Sequence, residues 1–227
     1  MNTIDVLKAI VKTDETIEAF SFHTFPEQSL VQDRISNWSV KEQTMFDLAI
    51  GFREKYRLPF WDSLMLGSFN NEKYSEKLLD IALHHNEIKD LTFVPITDFT
   101  NYVGTINNKR LAVNSQVKMK DGSIKHLPLL DFHIPVSELN QNIVYKVCAN
   151  LNLKGYILNS GESYHYIGLT PVEWDNLYMI LSKALLFCPI IDRAWVSHQL
   201  QEKSCSLRVD KKNGITTKVI ALITSSC

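Results

Sequence analysis

Asn159-Ser160-Gly161-Glu162-Ser163-Tyr164-His165-Tyr166-Ile167-Gly168 is the stretch on which the reading of this chain turns. Its first residues are turn formers, and glycine at 161 permits positive φ and close approach of a ligand to the backbone. From Ser163 onward the stretch alternates as a strand does, which projects Ser163 and His165 onto one face. Backbone N–H groups and hydroxyls in such a turn suit phosphate oxygens, and His165 would add a donor or a positive charge. A plain hairpin whose histidine packs beside Tyr164 and Tyr166 accounts for the same residues equally well.

Outward from this hairpin the flanks alternate. A helix is expected over 136–151 and a strand over 155–160. After the strand at 163–169, a helix is expected over 170–187, with Thr170 as N-cap, Pro171 at the first helical position and Glu173 three residues after the cap. CPIID (188–192), a short helical WVSHQLQ (195–201) and strands at 205–209 and 215–223 complete the run. With IKHLPLLDFHIP (124–135) as the entering strand, the order is β-α-β-β-α-β, the split βαβ or ferredoxin-like order, plus an added helix and a final strand. Further upstream, LTFVPIT (91–97), NYVGTI (101–106) and RLAVNSQVKM (110–119) read as strands, with a turn at Asp121-Gly122. The first ninety residues read as mainly helical. In 39–56, Ser39 is the expected N-cap, and Phe46, Leu48, Ala49, Phe52 and Tyr56 recur near a helical period. A second helix is expected over 70–85, its His84-His85 pair capping the C-terminal end. The expected class is α+β, with a helical lobe over 1–90 and a β-rich lobe over 91–227.

Two further stretches carry chemistry. In Leu129-Leu130-Asp131-Phe132-His133-Ile134, a strand puts Asp131 and His133 on one side, where a carboxylate and an imidazole suit one divalent cation, the imidazole favouring Mn²⁺ over Mg²⁺. A satisfied strand-end histidine beside a turn aspartate is the commoner meaning of such a pair. Pro189-Ile190-Ile191-Asp192 ends an apolar run in an acid that serves equally as a helix N-cap. Ser206 to Lys212 follows with Arg208, Lys211 and Lys212.

In this order the three stretches resemble the archaeo-eukaryotic primase superfamily, which includes primase small subunits and primase-polymerases. LLDFHIP matches an apolar strand bearing two acids one residue apart, NSGESYHYIG a serine-glycine turn leading to a strand histidine, and Ile190-Ile191-Asp192 an apolar pair followed by aspartate. LRVDKK (207–212) is similar to the basic segment that often follows. The resemblance spans about 90 to 223 and implies a primase catalytic core with an RRM-like C-terminal lobe. It implies metal ligation and catalysis by Asp131 and Asp192, with His133 standing where the family has its second acid. It also implies triphosphate contacts from Ser160, Gly161, Ser163 and His165, with Arg208 and Lys211 holding phosphate. The implied activity is a primase-polymerase-like nucleotidyltransferase using nucleoside triphosphates, Mn²⁺ or Mg²⁺ and a DNA or RNA single-stranded template. Because His133 removes one negative charge from a two-ion site, the alternative is a nucleotide- or nucleic-acid-binding module serving a larger system. A metal phosphodiesterase on the same ligands is a third reading.

Composition narrows the setting. The chain has 227 residues, 45% hydrophobic and 22% charged, with net charge -1, so disordered and fibrous classes fall away. Contact with nucleic acid must then be local, because the chain as a whole has no electropositive footprint. Its basic candidates, Lys109, Arg110, Lys118, Lys120, Lys125, Lys203 and Lys212 besides those above, read first as a solvated surface. Tyr102, Tyr164 and Tyr166 read as packing residues before stacking platforms. The four cysteines show no metal-finger spacing, so no zinc is expected and buried reduced thiols are. There is no apolar run of about 18 residues and no signal-peptide pattern, so a cytoplasmic protein without membrane contact is expected, with a protein partner supplying any helicase or effector function.

Overall fold

Alternation of apolar and polar residues, broken by turn formers, gives two antiparallel sheets that share one core in a computed structural model. The model describes residues 1–26, 39–58, 62–63, 66, 90–105, 109–209 and 216–224. The chain divides into two units, one of Met1–Phe25 with Asp90–Cys227 and the other of Pro26–Lys89.

The larger unit begins with α1 (Thr3–Thr13), closed at its start by a reciprocal capping box between Asn2 and Asp5. Its inner face carries Val6, Leu7 and Ile10, all essentially inaccessible. β1 (Ile17–Pro26) follows, a strand that the sequence reading had placed inside a helical lobe. In the smaller unit, α2 (Val40–Tyr56) forms as expected. Ala49 is buried, while Leu48 and Tyr56 of the expected apolar set are exposed, and Tyr56 stacks on Phe52 one turn earlier. The helix expected over 70–85 lies outside the described residues.

β2 (Asp90–Pro95) pairs with β1 and leads through a single 3-10 turn into α3 (Phe99–Thr105). A strand was expected at 101–106 from its Tyr-Val-Thr-Ile content. The structure has a helix there because Phe99 and Tyr102, three residues apart, both reach Phe22 of β1, with ring centroids 5.7 Å apart in each case. Aromatic packing at i, i+3 overrides β propensity. β3 (Lys109–Met119) and β4 (Ile124–His126) form a hairpin around Asp121-Gly122, and β5 (Leu129–Asp131) follows after Pro128. The single strand expected over 124–135 is therefore two short strands in different sheets. Leu127-Pro128 is the corner, and a proline cannot donate to a ladder.

α4 (Glu138–Asn150) starts on the Ser137 cap, then β6 (Gly155–Asn159) and β7 (Tyr164–Gly168) form the hairpin at the centre of the reading. α5 (Trp174–Ala184) begins later than expected. Val172 exchanges both backbone hydrogen bonds with His126, at 2.7 and 2.8 Å, so Thr170 cannot cap, and Glu173 takes the cap position without a side-chain hydrogen bond. α6 (Arg193–Glu202), β8 (Ser206–Arg208) and β9 (Lys218–Ile223) complete the unit.

The strand order is β2-β1-β3-β4 in one sheet, with β8 also on β3, and β5-β7-β6-β9 in the other. Since every pair in the second sheet is antiparallel, β5 and β6 run parallel with β7 between them, and α4 connects them. Beyond the free edge of β5, Ile191 makes one antiparallel bridge to Phe132. CPIID thus lies where the expected order needs its next strand, shortened to one residue pair, and β9 is an addition at the opposite edge. The architecture is α+β.

One cluster of inaccessible side chains, from Leu7 and Phe22 to Tyr164, Tyr166 and Leu181, joins both sheets and the helices of this unit. Gly155 is needed in it, since a Cβ there would stand 2.3 Å from the Ile167 carbonyl oxygen. Cys148 and Cys205 are buried and, with Cys188, unbonded. Burial pushes the Cys148 thiol up to about 12, which makes it inert at neutral pH.

Candidate functional site

Antiparallel register places Asp131, the last residue of β5, directly opposite His165 of β7. Successive residues alternate faces, so Phe132 and Tyr164 go into the core while Asp131, His133 and His165 stand on the other side. The bridge at Ile191 is bracketed by hydrogen bonds from the His133 N–H to the Ile190 carbonyl, 2.8 Å, and from the Asp192 N–H to the Asp131 carbonyl, 3.1 Å. Those two bonds bring the third stretch to the end of the first. Asp192 is also the N-cap of α6, its Oδ1 accepting from the Trp195 N–H at 3.0 Å, as the capping reading of this acid expects.

The side chains form two acid–histidine pairs. His165 Nε2 lies 3.6 Å from Asp131 Oδ1, and His133 Nδ1 lies 3.6 Å from Asp192 Oδ2. They differ in setting. The His165 side chain is 7% exposed and that of Asp131 29%, whereas the His133 side chain is 59% exposed.

The turn at 160–163 sits beside the first pair. Gly161 adopts φ 103°, a region that costs a side-chain-bearing residue about 1 kcal/mol or more. Its N–H donates to Asn159 Oδ1 at 2.7 Å, and the Ser160 N–H donates to the Ser163 carbonyl at 2.9 Å. These two N–H groups are thus used inside the turn. The Ser163 hydroxyl donates to the Phe132 carbonyl at 2.5 Å and accepts from the Ile134 N–H at 3.2 Å, fastening β7 to the end of β5. Arg208 arrives from β8, in the other sheet, with its Nη2 2.9 Å from the Ser160 carbonyl oxygen. Ser160, Gly161, Ser163, His165, Arg208, Asp131, His133 and Asp192 are therefore gathered at one end of the second sheet. Lys211 lies outside the described residues.

Sequence reasoning overlooked Asn159, whose side chain shapes the turn. An Asn two residues before a glycine, able to hold its N–H as a local cap, was the available signal. Tyr164 and Tyr166 are interior residues, with their hydroxyls donating to the Ser137 and Lys154 carbonyls at 2.8 Å each. Among the basic candidates, Lys118 pairs with Glu18 at 2.8 Å and Lys125 with Glu173 at 3.7 Å, as on an ordinary solvated face.

The donors suit a divalent cation in a limited way. Among the described residues, no three His, Cys, Asp or Glu side chains group around one point, so the set Asp131, His133 and Asp192 is not assembled as one cage. Each pair, however, offers one nitrogen and one oxygen at a separation too long for a hydrogen bond. Two ligands of one ion, each bonded at roughly 2.0–2.2 Å, stand about 3.0–3.6 Å apart. Cations that serve triphosphates commonly take one or two protein ligands, with water and phosphate oxygens completing the shell.

No helix among the described residues is long and apolar enough to cross a membrane. No curated protein and no solved structure matches the chain. The family model described as archaeo-eukaryotic primase 1D-like matches residues 89–220. That span contains all three motif stretches, and the chain belongs to this archaeo-eukaryotic primase family.

Proposed function

We propose that this chain is a primase-polymerase-like nucleotidyltransferase module, which takes a nucleoside triphosphate at the end of the β5-β7-β6 ladder and pairs it against a single-stranded DNA or RNA template. The observation that carries the reading is the convergence of three stretches separated by up to sixty residues of sequence, through the Asp131–His165 register and the Ile191–Phe132 bridge.

Within this reading Arg208, fixed on the Ser160 carbonyl, supplies the cationic group for the triphosphate, and a planar guanidinium suits phosphate oxygens. Gly161 keeps the turn free of a Cβ where phosphate approaches. Asp131, His133 and Asp192 are the residues that would hold divalent metal, Mn²⁺ or Mg²⁺, and His165 would contact the triphosphate. When bound, such an ion offsets phosphate charge and orients the reacting oxygens. Ser163 positions by tying the strand ends together. The RRM-like reading of this lobe and the assignment of 91–227 as the catalytic lobe belong to the same proposal, as does a protein partner that supplies helicase or effector function.

Purified protein with template, nucleotides and either Mn²⁺ or Mg²⁺ is expected to extend or prime a strand, and the Asp131→Ala/Asp192→Ala variant to make no product. Wild-type product no greater than that control, in both metals, removes the polymerase reading.

One observation favours a second reading, a nucleotide-binding module without synthesis. His133 stands at the position of the family's second acid and is paired with Asp192, which lowers the negative charge available to two cations. Calorimetry with a nucleoside triphosphate, showing binding in a protein that makes no product, selects it.

A further inference from the structure

We infer that Gln199 and Trp195, two side chains of α6, are the positioning residues for Arg208. This inference rests on the nucleotide reading above and deepens it, since it names the device that holds the cationic group for the triphosphate in place.

β8 needs such a device. It is three residues long and runs along β3, with Ser206 opposite Asn114 and Arg208 opposite Ala112. The bonds at either end show which way its backbone points. The Ser115 N–H donates to the Cys205 carbonyl at 2.7 Å, and the Val209 N–H to the Leu111 carbonyl at 2.8 Å. In an antiparallel pair, alternate residues turn their backbone groups toward the partner and away from it. Cys205, Leu207 and Val209 therefore face β3, while the N–H and C=O of Ser206 and Arg208 point outward. Left so, the arginine would ride on a short edge held from one side.

α6 supplies the other side, with side chains in place of a strand. The Ser206 N–H donates to Gln199 Oε1 at 2.7 Å, and the Ser206 carbonyl accepts from Trp195 Nε1 at 2.9 Å. Both outward groups of Ser206 are thus met, as a neighbouring strand would meet them. Trp195 and Gln199 stand four residues apart, which puts them on one face of the helix. Gln199 is only 3% exposed and is itself held, its Nε2 donating to the Trp195 carbonyl at 3.2 Å. The Ser204 N–H also returns to the Gln199 carbonyl, at 3.3 Å, so the end of the helix and the start of the strand are fastened to the same residue.

The strand carries this constraint to the site. Ser206 and Arg208 are i and i+2 and project to one face, and Arg208 Nη2 meets the Ser160 carbonyl at 2.9 Å. At its other end α6 begins on Asp192, whose Oδ1 accepts from the N–H of the same Trp195. One helix therefore fixes an acid at its first turn and, about two turns later, the strand that bears the guanidinium. Their separation is set before a ligand arrives, and such preorganisation is what gives a charged contact its effect.

The test takes two readouts on the full chain. The first is the Arg208 guanidinium signal in nitrogen-15 magnetic resonance of the ligand-free protein, assigned by its loss in Arg208→Lys. A guanidinium held on a carbonyl gives a slowly exchanging Nη–H signal, and Gln199→Met is expected to erase it. The second is the Kd for ATP with Mn²⁺ by calorimetry. It should rise about tenfold in Gln199→Met, the low end of what orienting groups around a site contribute, and about threefold in Trp195→Phe, which removes one hydrogen bond. A residue that acts through Arg208 has nothing left to do once the guanidinium is gone, so in an Arg208→Lys background Gln199→Met should move Kd by less than about twofold. Gln201→Met makes the same change on the exposed side of α6 and should leave both readouts at the wild-type values. Circular-dichroism melts establish that each variant is folded, and Trp195→Phe carries both readouts if Gln199→Met is not. A wild type without a held Arg208 signal overturns the inference, as does a loss of ATP affinity that is equally large in the Arg208→Lys background, which would mark a general loosening of the fold. An Arg208 signal that depends on Gln199 in a protein that binds no ATP sinks the nucleotide reading and leaves the positioning role standing. ATP binding that is indifferent to Gln199 and Trp195 sinks the positioning role alone.

Discussion

The first sheet holds a cluster of polar side chains as dense as the site on the second, and the two are built in opposite ways. Under β1, β3 and β8, Asn114 is wholly buried. Its Nδ2 lies 2.9 Å from Ser204 Oγ, 3.1 Å from Ser206 Oγ and 3.1 Å from His23 Nε2, while its Oδ1 accepts from the Gln116 N–H at 2.9 Å. Every contact is at hydrogen-bond length. At the end of the second sheet the acid–histidine pairs stand 3.6 Å apart and are partly open to solvent. A buried seam of side chains at hydrogen-bond length from one another specifies how strands fit together. The two acid–histidine pairs stand just beyond hydrogen-bond length.

Cutting the seam should have the largest effect on stability. Asn114→Ala removes one donor group and one acceptor, leaving the Gln116 N–H and the serine hydroxyls to find partners in a closed interior. A loss of about 2–4 kcal/mol is expected, at roughly 1–3 kcal/mol for each unsatisfied buried group, read as the shift in a urea or thermal midpoint. A loss below about 0.5 kcal/mol, within the range of an ordinary surface change, would show that the seam is not structural and break the contrast.

A second polar contact lies at the edge of the same sheet and responds to pH. Ser115 Oγ accepts from the Cys205 N–H at 2.9 Å and lies 3.1 Å from His126 Nδ1, where the histidine tautomer sets which atom donates. Burial lowers the His126 pKa from the ordinary 6.5, and Glu173 offsets this only in part. A depressed histidine is neutral in the folded chain and takes up its proton more readily when unfolded. Its contribution is therefore complete above about pH 6.5 and is lost as pH falls through the folded value. Thermal midpoints measured from pH 7.5 down to 5 should fall more steeply for the wild type than for His126→Gln. Parallel curves would separate His126 from the acid sensitivity of the fold.

What the sequence made legible follows the same division. Alternation and turn residues were enough for the central hairpin, because Gly161 and the apolar faces of β6 and β7 leave one register. The three motif stretches were legible as stretches. Their meeting depends on the Ile191–Phe132 bridge, a tertiary contact with no local pattern. β1 was missed since IEAFSFHTF alternates, yet it stands directly after an amphipathic helix in a region read as helical. The strand expected at 101–106 failed for a related reason, as Phe99 and Tyr102 find the Phe22 ring only once β1 is in place. The pairing of His133 with Asp192, and of Asp131 with His165, could not be read from D-x-H, which would have put Asp131 and His133 together.

The smallest stability effect should come from the site itself. Asp131→Asn keeps shape and volume and removes one charge from a carboxylate whose side chain is 29% exposed and which makes no hydrogen bond to His165 at 3.6 Å. Exposed or half-exposed ion pairs contribute about 0–1 kcal/mol, so the unfolding midpoint should move by less than a quarter of the Asn114→Ala shift. It could even rise, because the neutral amide relieves the desolvation of a charge at a strand end. A destabilisation as large as that of Asn114→Ala would mean that the Asp131–His165 pair holds β5 to β7, as the seam holds β3 to β8. A near-silent melt combined with loss of ligand binding would instead mark Asp131 as a group kept for a partner that the fold does not need.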